Sequence, residues 1–261
     1  MGHQGGYGRL CSLRGCRWLL GLLALSSGWA QADLSIVGTR FIYPAGKPAI
    51  SIRVGNSGRA PILLQAWLDK GDAEVDPSAL VVPFVLSPPI SRLEPRQNAA
   101  LVLRYSGEPL PGDRESVFWI NFLEVPPLAA AKDDLLRLAS RMRMKLLYRP
   151  QGLSGKADEA VRQLRWSLVA AGAGGAALLA GNPTPYYVSF AEVALGSGNR
   201  SITLQGITVE PFGSARIALP DMQGITPDQA VVHYQVATDS GETLSGSCLL
   251  YTSDAADDMQ C

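Results

Sequence analysis

Residues that could perform acid–base or nucleophilic chemistry are few and scattered in this chain of 261 residues. There are two histidines: His3 precedes the apolar N-terminal run, and His233 lies in the alternating segment VVHYQV. A serine–histidine site would need a positioned serine, and the sequence contains no Gly-x-Ser-x-Gly. His233 is therefore interpreted as an ordinary strand side chain, which argues against a hydrolase triad.

Metal, phosphate and paired-carboxylate motifs are also missing from the sequence. Neither His-x-x-x-His nor Cys-x-x-Cys occurs, and these spacings are typical of zinc sites. Residues 172–175 (GAGG) lack the Lys-Ser/Thr of a phosphate loop, so they predict a turn or a weak edge strand. The adjacent pairs Asp133–Asp134 and Asp257–Asp258 favour solvated charge. We therefore expect no metal, no cofactor and no enzymatic activity.

The N-terminus has the features of an export signal. Three arginines precede an apolar run at residues 18–25 (WLLGLLAL), and residues 30–32 (AQA) form a small-x-small cleavage site. The apolar run is much shorter than the roughly 20 residues that span a bilayer, which argues against an uncleaved anchor and membrane insertion. Residues 1–32 are predicted to be a signal peptide, and the mature chain is predicted to begin at Asp33.

Charge and cysteine content narrow the function further. Removing the signal leaves 20 basic against 23 acidic residues, which gives no support for a nucleic-acid or anionic-membrane partner. Cys11 and Cys16 leave with the signal, so only Cys248 and Cys261 remain, and whether these two pair stays open. One pair cannot form a disulfide framework, so hydrophobic burial must supply most of the folding free energy.

The segments that must position any functional side chains read as short strands separated by turn residues. Such spacing is typical of β-sandwiches. A helical period is evident only at residues 128–138, which we interpret as a loop entering a strand, and residues 172–179 are ambiguous. The predicted strands are residues 49–54, 62–68, 99–105, 116–123, 164–169, 186–192, 202–210, 214–219, 230–237 and 243–248.

The mature chain has one candidate linker between domains and an atypical tail. Residues 149–152 (RPQG) form the best candidate linker, because proline cannot pair within a central strand and glycine follows closely. This predicts an N-terminal domain at residues 33–150 and a C-terminal domain at residues 151–248. The tail at residues 249–261 lacks alternation and places three Asp in five positions, so it is predicted to be disordered or non-native.

A set of short motifs, in this order and spacing, resembles the periplasmic pilus-assembly chaperones of the chaperone–usher pathway, the PapD-like group. The resemblance covers nearly all of residues 33–248. The motifs are GTRFIYP (38–44), QAWLD (65–69), VPFVLSPP (82–89), RLEP (92–95), RESVFWIN (114–121), EVPP (124–127), RMKLLYRP (143–150), NPTPYY (182–187) and PFGS (211–214).

The resemblance implies an all-β fold of two immunoglobulin-like β-sandwich domains in an L or boomerang arrangement. It implies a periplasmic chaperone that binds pilus or fimbrial subunits by donor-strand complementation, prevents their aggregation and delivers them to an outer-membrane usher. No cofactor is implied. The exposed donor strand is itself an adhesive edge, so a self-capping homodimer is an additional expectation.

The donor strand implied by the resemblance is residues 136–147. Alternate residues of this strand would enter the apolar groove of the subunit, and a serine departs from the bulky apolar residue usual in the pattern. The proposed groove-filling residues are Leu136, Leu138, Ser140, Met142 and Met144.

Two cations match the residues that grip the C-terminal carboxylate of the subunit in this family, Arg40 and Lys145. Lys145 lies an odd number of residues from Ser140, so strict alternation places the two on opposite faces of the strand. The prediction that both serve the subunit therefore requires a bend or a bulge between them.

The resemblance also implies an ion-pair network between the domains, formed by Glu115, Arg149 and Asp239. It would fix the angle between the sandwiches, although desolvation opposes the attraction. The segment at residues 126–134 between the sixth and seventh strands is short and has no flanking cysteine pair, which resembles the short F1–G1 loop branch of the family.

Two other interpretations remain open at this stage. A secreted immunoglobulin-like structural or adhesion protein without chaperone activity would not need paired cations, so charge reversal at Arg40 would leave its partner binding intact. An exported sandwich hydrolase would need a clustered nucleophile and base, and the missing histidine partners argue against it.

Overall fold

The computed structural model of the protein describes residues 2, 33–74, 76–77, 80–127, 138–171, 175–220, 225 and 230–250. Three predicted features lie outside these residues: the signal peptide apart from residue 2, residues 128–137 with Leu136, and the tail after residue 250.

The N-terminal part of the described chain forms two facing β-sheets. One sheet has the order β1-β3-β7-β5 and the other the order β2-β9-β8-β4-β6. The strands are β1 (Leu34–Ile36), β2 (Arg40–Pro44), β3 (Ile50–Asn56), β4 (Ile62–Asp69), β5 (Phe84–Ser87), β6 (Ile90–Leu93), β7 (Asn98–Tyr105), β8 (Ser116–Val125) and β9 (Ser140–Arg149).

Alternation of apolar residues places the core between these sheets. Every second residue of β4 from Ile62 to Leu68 is buried, and so is every second residue of β8 from Phe118 to Phe122. A strand presents successive side chains to opposite faces, so this period of two puts one face of each strand into the core. The β8 face opposite the core is left for the polar side chains described below.

The chain changes sheets between β1 and β2. Strand β1 pairs with β3 in the first sheet, whereas β2 pairs in parallel with β9 in the second. Gly38 lies in this crossover with a φ of 108°, a conformation that glycine adopts readily and other residues rarely do. The position of the crossover determines that β2 begins at Arg40, which is the partner of Lys145.

Aromatic packing fastens β2 to the opposite sheet. The Tyr43 ring lies 5.5 Å from Phe84 in an edge-on arrangement, and the rings of Tyr105 and Tyr148 are 4.7 Å apart. The Tyr105 backbone N–H donates a 3.1 Å hydrogen bond to the Tyr43 hydroxyl. Since aromatic pairs contribute about 0.5–1.5 kcal/mol beyond their area burial, β2 is held firmly beside β9.

The C-terminal part forms a second pair of sheets with its own hydrophobic core. A short helix, α1 (Ala157–Ala160), and a 3-10 turn (Val161–Gln163) precede it, and no helix of the described residues has the length and apolarity to cross a membrane. The sheets have the orders β10-β11-β15 and β13-β12-β16-β17, with β14 also paired to β12. The strands are β10 (Arg165–Ala170), β11 (Ala176–Gly181), β12 (Val188–Ser197), β13 (Arg200–Gln205), β14 (Thr208–Val209), β15 (Ser214–Leu219), β16 (Val231–Ala237) and β17 (Thr243–Leu249).

The strand predicted at residues 202–210 is wrong in one respect, because it is divided at Gly206 into β13 and β14. A side chain at Gly206 would collide with the carbonyl oxygens of Phe190 and Ala191. The β12–β16 register shifts between Phe190 and Glu192 at the same level. This irregularity explains why one apolar segment yields two strands, both paired with β12.

The remaining differences concern features that the sequence pattern left out or left undecided. Strands β1, β2, β5 and β6 were not predicted, because they are short and lie beside proline or glycine. The ambiguous segment at residues 172–179 contains the start of β11. Cys248 on β17 is disulfide-bonded, and the other three cysteines of the chain all lie outside the described residues.

Candidate functional site

The outer edge of β9 is half open and half covered. Antiparallel pairing with β8 runs along one side from Ser140 to Tyr148. On the other side, β2 pairs only with the stretch from Lys145 to Arg149. Among the described strands, none pairs with that side of β9 between Ser140 and Met144. The donor strand predicted at residues 136–147 therefore extends too far, because residues 145–147 already have two neighbours.

The two faces of β9 carry different chemistry. Its register with β8 is continuous from residue 140 to residue 148, so the bulge expected between Ser140 and Lys145 is not present. One face, which carries Ser140, continues to Leu146, whose side chain is fully buried in the N-terminal core. The other face carries Lys145. The expectation that a bulge brings Ser140 and Lys145 to one face is thus corrected: they lie on opposite faces of one regular strand.

The predicted groove-filling residues are in unlike environments. Leu138, just before β9, is 75% exposed. Ser140 is partly exposed, whereas Met142 and Met144 pack against the core of their own sandwich. Leu136 lies outside the described residues. Leu138 is therefore the large apolar side chain most available to a partner at this edge.

The two predicted cations are adjacent. Arg40 of β2 and Lys145 of β9 are direct partners in the parallel pairing. The Lys145 ammonium donates a 2.8 Å hydrogen bond to the Ser189 hydroxyl and another to the Thr208 hydroxyl, both in the C-terminal sandwich. It also lies 5.5 Å from the centre of the Trp119 ring. No carboxylate of the described residues forms an ion pair with either cation.

Both cations are held at an electrostatic cost. Burial, together with the nearby positive charge of Arg40, lowers the pKa of Lys145 to about 8. Burial also lowers the pKa of Arg40, and its Nε is buried without a hydrogen-bond partner among the described residues. An unpaired buried donor costs about 1–3 kcal/mol, and more when charged. An anion between the two cations would relieve this cost.

Arg149 joins the two sandwiches. Its Nε lies 2.6 Å from Glu115 Oε1 and its Nη1 lies 2.6 Å from Asp239 Oδ2. The other Glu115 oxygen accepts a 2.8 Å hydrogen bond from the Tyr187 backbone N–H. Burial raises the pKa of Glu115, and the neighbouring charge of Arg149 opposes this rise. Glu115 and Arg149 belong to the first sandwich, and Asp239 and Tyr187 to the second.

Sequence reasoning missed a polar cluster on the β4–β8–β9 sheet face that carries Lys145. The buried Asp69 carboxylate accepts hydrogen bonds from Arg143 Nη2 at 2.5 Å, from Asn121 Nδ2 at 2.7 Å and from the Gly71 backbone N–H at 2.7 Å. The guanidinium of Arg143 also lies 4.2 Å from the centre of the Trp119 ring. Polar residues at alternate positions of otherwise apolar strands were the signal that could have indicated it.

His233 stands apart from any such cluster. It lies on β16, opposite Ala194 and Ser247 in the two pairings, and is exposed. Within the part of the chain that the structure describes, no group of three or more His, Cys, Asp or Glu residues is placed to hold a metal ion.

Models of two protein families match the chain one after the other. Residues 33–154 match the N-terminal domain of the PapD pili and flagellar-assembly chaperones. Residues 159–247 match the C-terminal domain of the PapD pili-assembly chaperones. Together the matches cover most of the described residues.

Individual proteins are similar over nearly their full length. The probable fimbrial chaperone YadV of Escherichia coli K12 is 38% identical over 233 residues, covering 87% of this chain and 94% of YadV. The Pseudomonas aeruginosa CupB2 chaperone has a TM-score of 0.69 and 35% identity, covering 83% of this chain and all of CupB2. The Salmonella enterica SafB chaperone, solved in complex with the SafA pilin, has a TM-score of 0.69 and 28% identity, covering 85% of this chain and 99% of the matched one.

Proposed function

Since this chain belongs to the family of PapD-like pili and flagellar-assembly chaperones, we propose that it captures pilus subunits and completes their fold with its own strand β9. Chaperone–pilin donor-strand complementation is an established form of β-augmentation, in which main-chain hydrogen bonds supply affinity and side-chain pockets supply specificity. In this chain the open edge of β9 and the cations Arg40 and Lys145 would carry these roles. No residue has a catalytic role in this scheme.

The observation that carries the proposal is the change at Lys145 from an open to a covered edge. A guest strand can pair with β9 from Ser140 to Met144 and then meets the first residue of β2, Arg40. The two cations lie where the guest strand would have to stop. A chain that ends there must run in the same direction as β9, so its C-terminal carboxylate arrives at Arg40 and Lys145.

The carboxylate would satisfy both cations. A hydrogen bond to a charged group contributes about 1.5–3 kcal/mol, which is more than a neutral one contributes. Arg40 Nε has no partner among the described residues, and the Lys145 ammonium has only two hydroxyls. Binding at the end of the chain also sets the register, because a carboxyl terminus occurs only once in a guest.

The apolar contribution comes from the other face and from the start of the strand. Burial of a fully exposed leucine contributes about 1.5–3 kcal/mol, and Leu138 is largely exposed in the free protein. Each main-chain hydrogen bond to the open edge would add about 0.5–1.5 kcal/mol. A guest that lacks a strand exposes a groove and unpaired backbone, so covering both suppresses aggregation.

The ion pairs of Arg149 have a positioning role in this scheme. They connect the two sandwiches beside Lys145, whose hydroxyl partners Ser189 and Thr208 belong to the second sandwich. Fixing the angle between the sandwiches would keep those hydroxyls, and the space for a carboxylate, at constant distance. Since desolvation can cancel the attraction within such a network, its role is geometry rather than net stability.

The cellular setting is part of the same proposal. The N-terminal pattern predicts export, and a chaperone for exported subunits would act in the periplasm and deliver them to an outer-membrane usher. Transfer would exchange β9 for a strand of the next subunit. That exchange needs no cofactor, because folding of the subunit supplies the driving force.

Co-expression with candidate pilus subunits in the periplasm tests the proposal. The unmodified chain should give a soluble one-to-one complex, and Arg40→Ala and Lys145→Ala should each abolish it while circular dichroism shows an unchanged fold. Arg53→Ala is the matched control, since Arg53 is exposed on the other sheet. Full binding by both Arg40→Ala and Lys145→Ala would contradict the proposed binding of the carboxylate by these cations.

A further inference from the structure

Two turns of the chain have the same pattern, but their third residues have different neighbours. Residues 94–97 (EPRQ) and residues 210–213 (EPFG) each close with a hydrogen bond from the fourth backbone N–H to the first carbonyl, of 3.0 and 3.2 Å. The third residue has a positive φ in both turns, 63° at Arg96 and 54° at Phe212. This left-handed conformation suits glycine and is strained for a bulky side chain, so a phenylalanine there calls for a compensating contact.

The turn that contains Phe212 is held by a neighbouring loop of the same sandwich. The Phe212 backbone N–H donates a 3.1 Å hydrogen bond to the Thr184 carbonyl, and the Asn182 backbone N–H donates one of 2.9 Å to the Gly213 carbonyl. These bonds keep the backbone in its strained conformation. The ring itself contributes little to the core of its sandwich, because the residue is 48% exposed.

The Phe212 ring instead contacts a cation of the first sandwich. The Arg114 guanidinium lies 4.9 Å from the centre of the ring. Its Nη2 donates a 2.8 Å hydrogen bond to Asp113 Oδ2, which restricts the orientation of the guanidinium. A cation within about 6 Å of an aromatic centre is attracted to the ring face. The strained residue therefore makes its contact across the boundary between the sandwiches.

The turn at residues 210–213 is next to the cation site. It directly follows β14, and Thr208 on β14 accepts a hydrogen bond from the Lys145 ammonium. Displacing the turn relative to the first sandwich would therefore displace a direct partner of Lys145. Glu115, the neighbour of Arg114, contacts a different loop of the second sandwich. Two contacts at separate loops restrict rotation between the sandwiches more than either contact alone.

We propose that Phe212 is a positioning residue, which with Arg114 fixes the turn after β14 and thereby holds Thr208 against Lys145 for binding of a guest carboxylate. The inference rests on the proposed function, because that function assigns the carboxylate to the Lys145 site. Loss of the contact would let the second sandwich move relative to the first, and the Lys145 ammonium would lose a fixed hydrogen-bond acceptor. Binding of a terminal carboxylate should then weaken more than pairing along the open edge of β9.

Synthetic peptides provide the binding test without an identified guest. They carry an alternating apolar pattern and end in either a free or an amidated carboxyl group, and their affinities for the full chain are measured by fluorescence anisotropy. The ratio of the two affinities reports on the carboxylate site alone, since pairing along the edge is common to both peptides. We expect Phe212→Gly and Arg114→Gln each to lower this ratio by about two- to fivefold, the range of an exposed cation–π contact. Phe212→Trp should retain it.

The relative motion of the sandwiches is measured separately. Residual dipolar couplings of backbone amides, fitted for each sandwich alone, give equal alignment magnitudes only if the two sandwiches move as one body. We expect equal values for the unmodified chain and unequal values for Phe212→Gly and Arg114→Gln. Arg96→Gly is the matched control, since it relieves the same strain in the other turn and should change neither the alignment nor the affinity ratio.

The outcomes separate this inference from the function on which it rests. Combining Phe212→Gly with Arg114→Gln should lower the affinity ratio no further than either change alone, and additive losses would overturn the inference. An unchanged ratio and equal alignment magnitudes in Phe212→Gly would also overturn it, and would leave the proposed function standing if the unmodified chain still prefers the free carboxyl end. Absence of that preference in the unmodified chain would instead overturn the proposed function.

Discussion

The two halves of strand β9 have the same regular alternation but different neighbours. From Lys145 to Arg149 the strand lies between β8 and β2, and its core side chain Leu146 is fully buried. From Ser140 to Met144 it has β8 on one side, and its core-facing methionines are half-buried. One half is therefore part of the structure of the sandwich, whereas the other half is available for pairing.

The difference shows that an open edge can be built into a stable sheet by the place where a neighbour begins. Strand β2 cannot start earlier than Arg40, because the chain is still crossing between sheets at Gly38. The covered half anchors β9 in the core, and the same strand extends beyond that anchor. An exposed edge usually favours aggregation, so a short one ending at two cations restricts what can pair there.

Core truncation should separate the two halves most strongly. Leu146→Ala in the covered half should lower the free energy of unfolding by about 2–5 kcal/mol, because it leaves a cavity in a fully buried site. Met142→Ala in the open half should lower it by only about 1 kcal/mol, since this flexible side chain is only partly buried. Urea unfolding followed by tryptophan fluorescence measures both.

The exposed Val85→Ala on the other sheet is the control, with an expected change within about 0.5 kcal/mol. Equal losses for Leu146→Ala and Met142→Ala would mean that both halves contribute alike to the core, and the comparison would fail.

The pH dependence of stability tests the environment of Lys145, where the open half of β9 meets the covered half. Lys145 has a pKa of about 8 in the folded protein and an ordinary value of 10.5 when exposed. Between these values the unfolded chain binds more protons than the folded one, so stability should rise with pH from about 8 to about 10.5. The slope contributed by this group is at most about 1.4 kcal/mol per pH unit.

The free energy of unfolding is measured for the unmodified chain and for Lys145→Met at pH 7.5 and at pH 9.5. The difference between the two proteins is compared at the two pH values, because the contributions of the other titrating groups cancel in it. Lys47→Met, at an exposed site, supplies the control difference and should show no such trend. If the difference for Lys145→Met is the same at both pH values, the ammonium is well solvated and gains nothing from an added anion.

Much of this architecture was predictable from the sequence, for a physical reason. Strands β3, β4, β7 and β8 carry apolar alternation or apolar runs, and burial of an apolar face contributes most of the free energy that favours folding. The positions of Arg40 and Lys145 came from family motifs, and pairing β2 with β9 brings them together. Spacing along the chain could not have done so, because they are far apart in sequence.

The remainder depended on information that alternation does not contain. Where β2 covers β9 follows from a crossover at one glycine, so the predicted donor strand was too long. The Asp69–Asn121–Arg143 cluster joins three strands through side-chain hydrogen bonds, and no short motif encodes it. Simple alternation already implied that Lys145 and Ser140 lie on opposite faces of the strand. The structure contains no bulge between them that would change this.

The smallest effect on stability is expected at the start of the open half. Leu138→Asn should change the free energy of unfolding by no more than about 0.5 kcal/mol, because the side chain is 75% exposed and little burial is lost. The same change should weaken binding of a pilus subunit by about ten- to a hundredfold, since burial of a leucine contributes about 1.5–3 kcal/mol. Isothermal titration and urea unfolding on one preparation measure both quantities, with Val37→Asn as the matched exposed control. A side chain that served the sandwich itself would show the opposite pattern, with stability lost and binding retained. Such a result would remove Leu138 from the binding surface and leave pairing of the backbone edge as the main source of affinity.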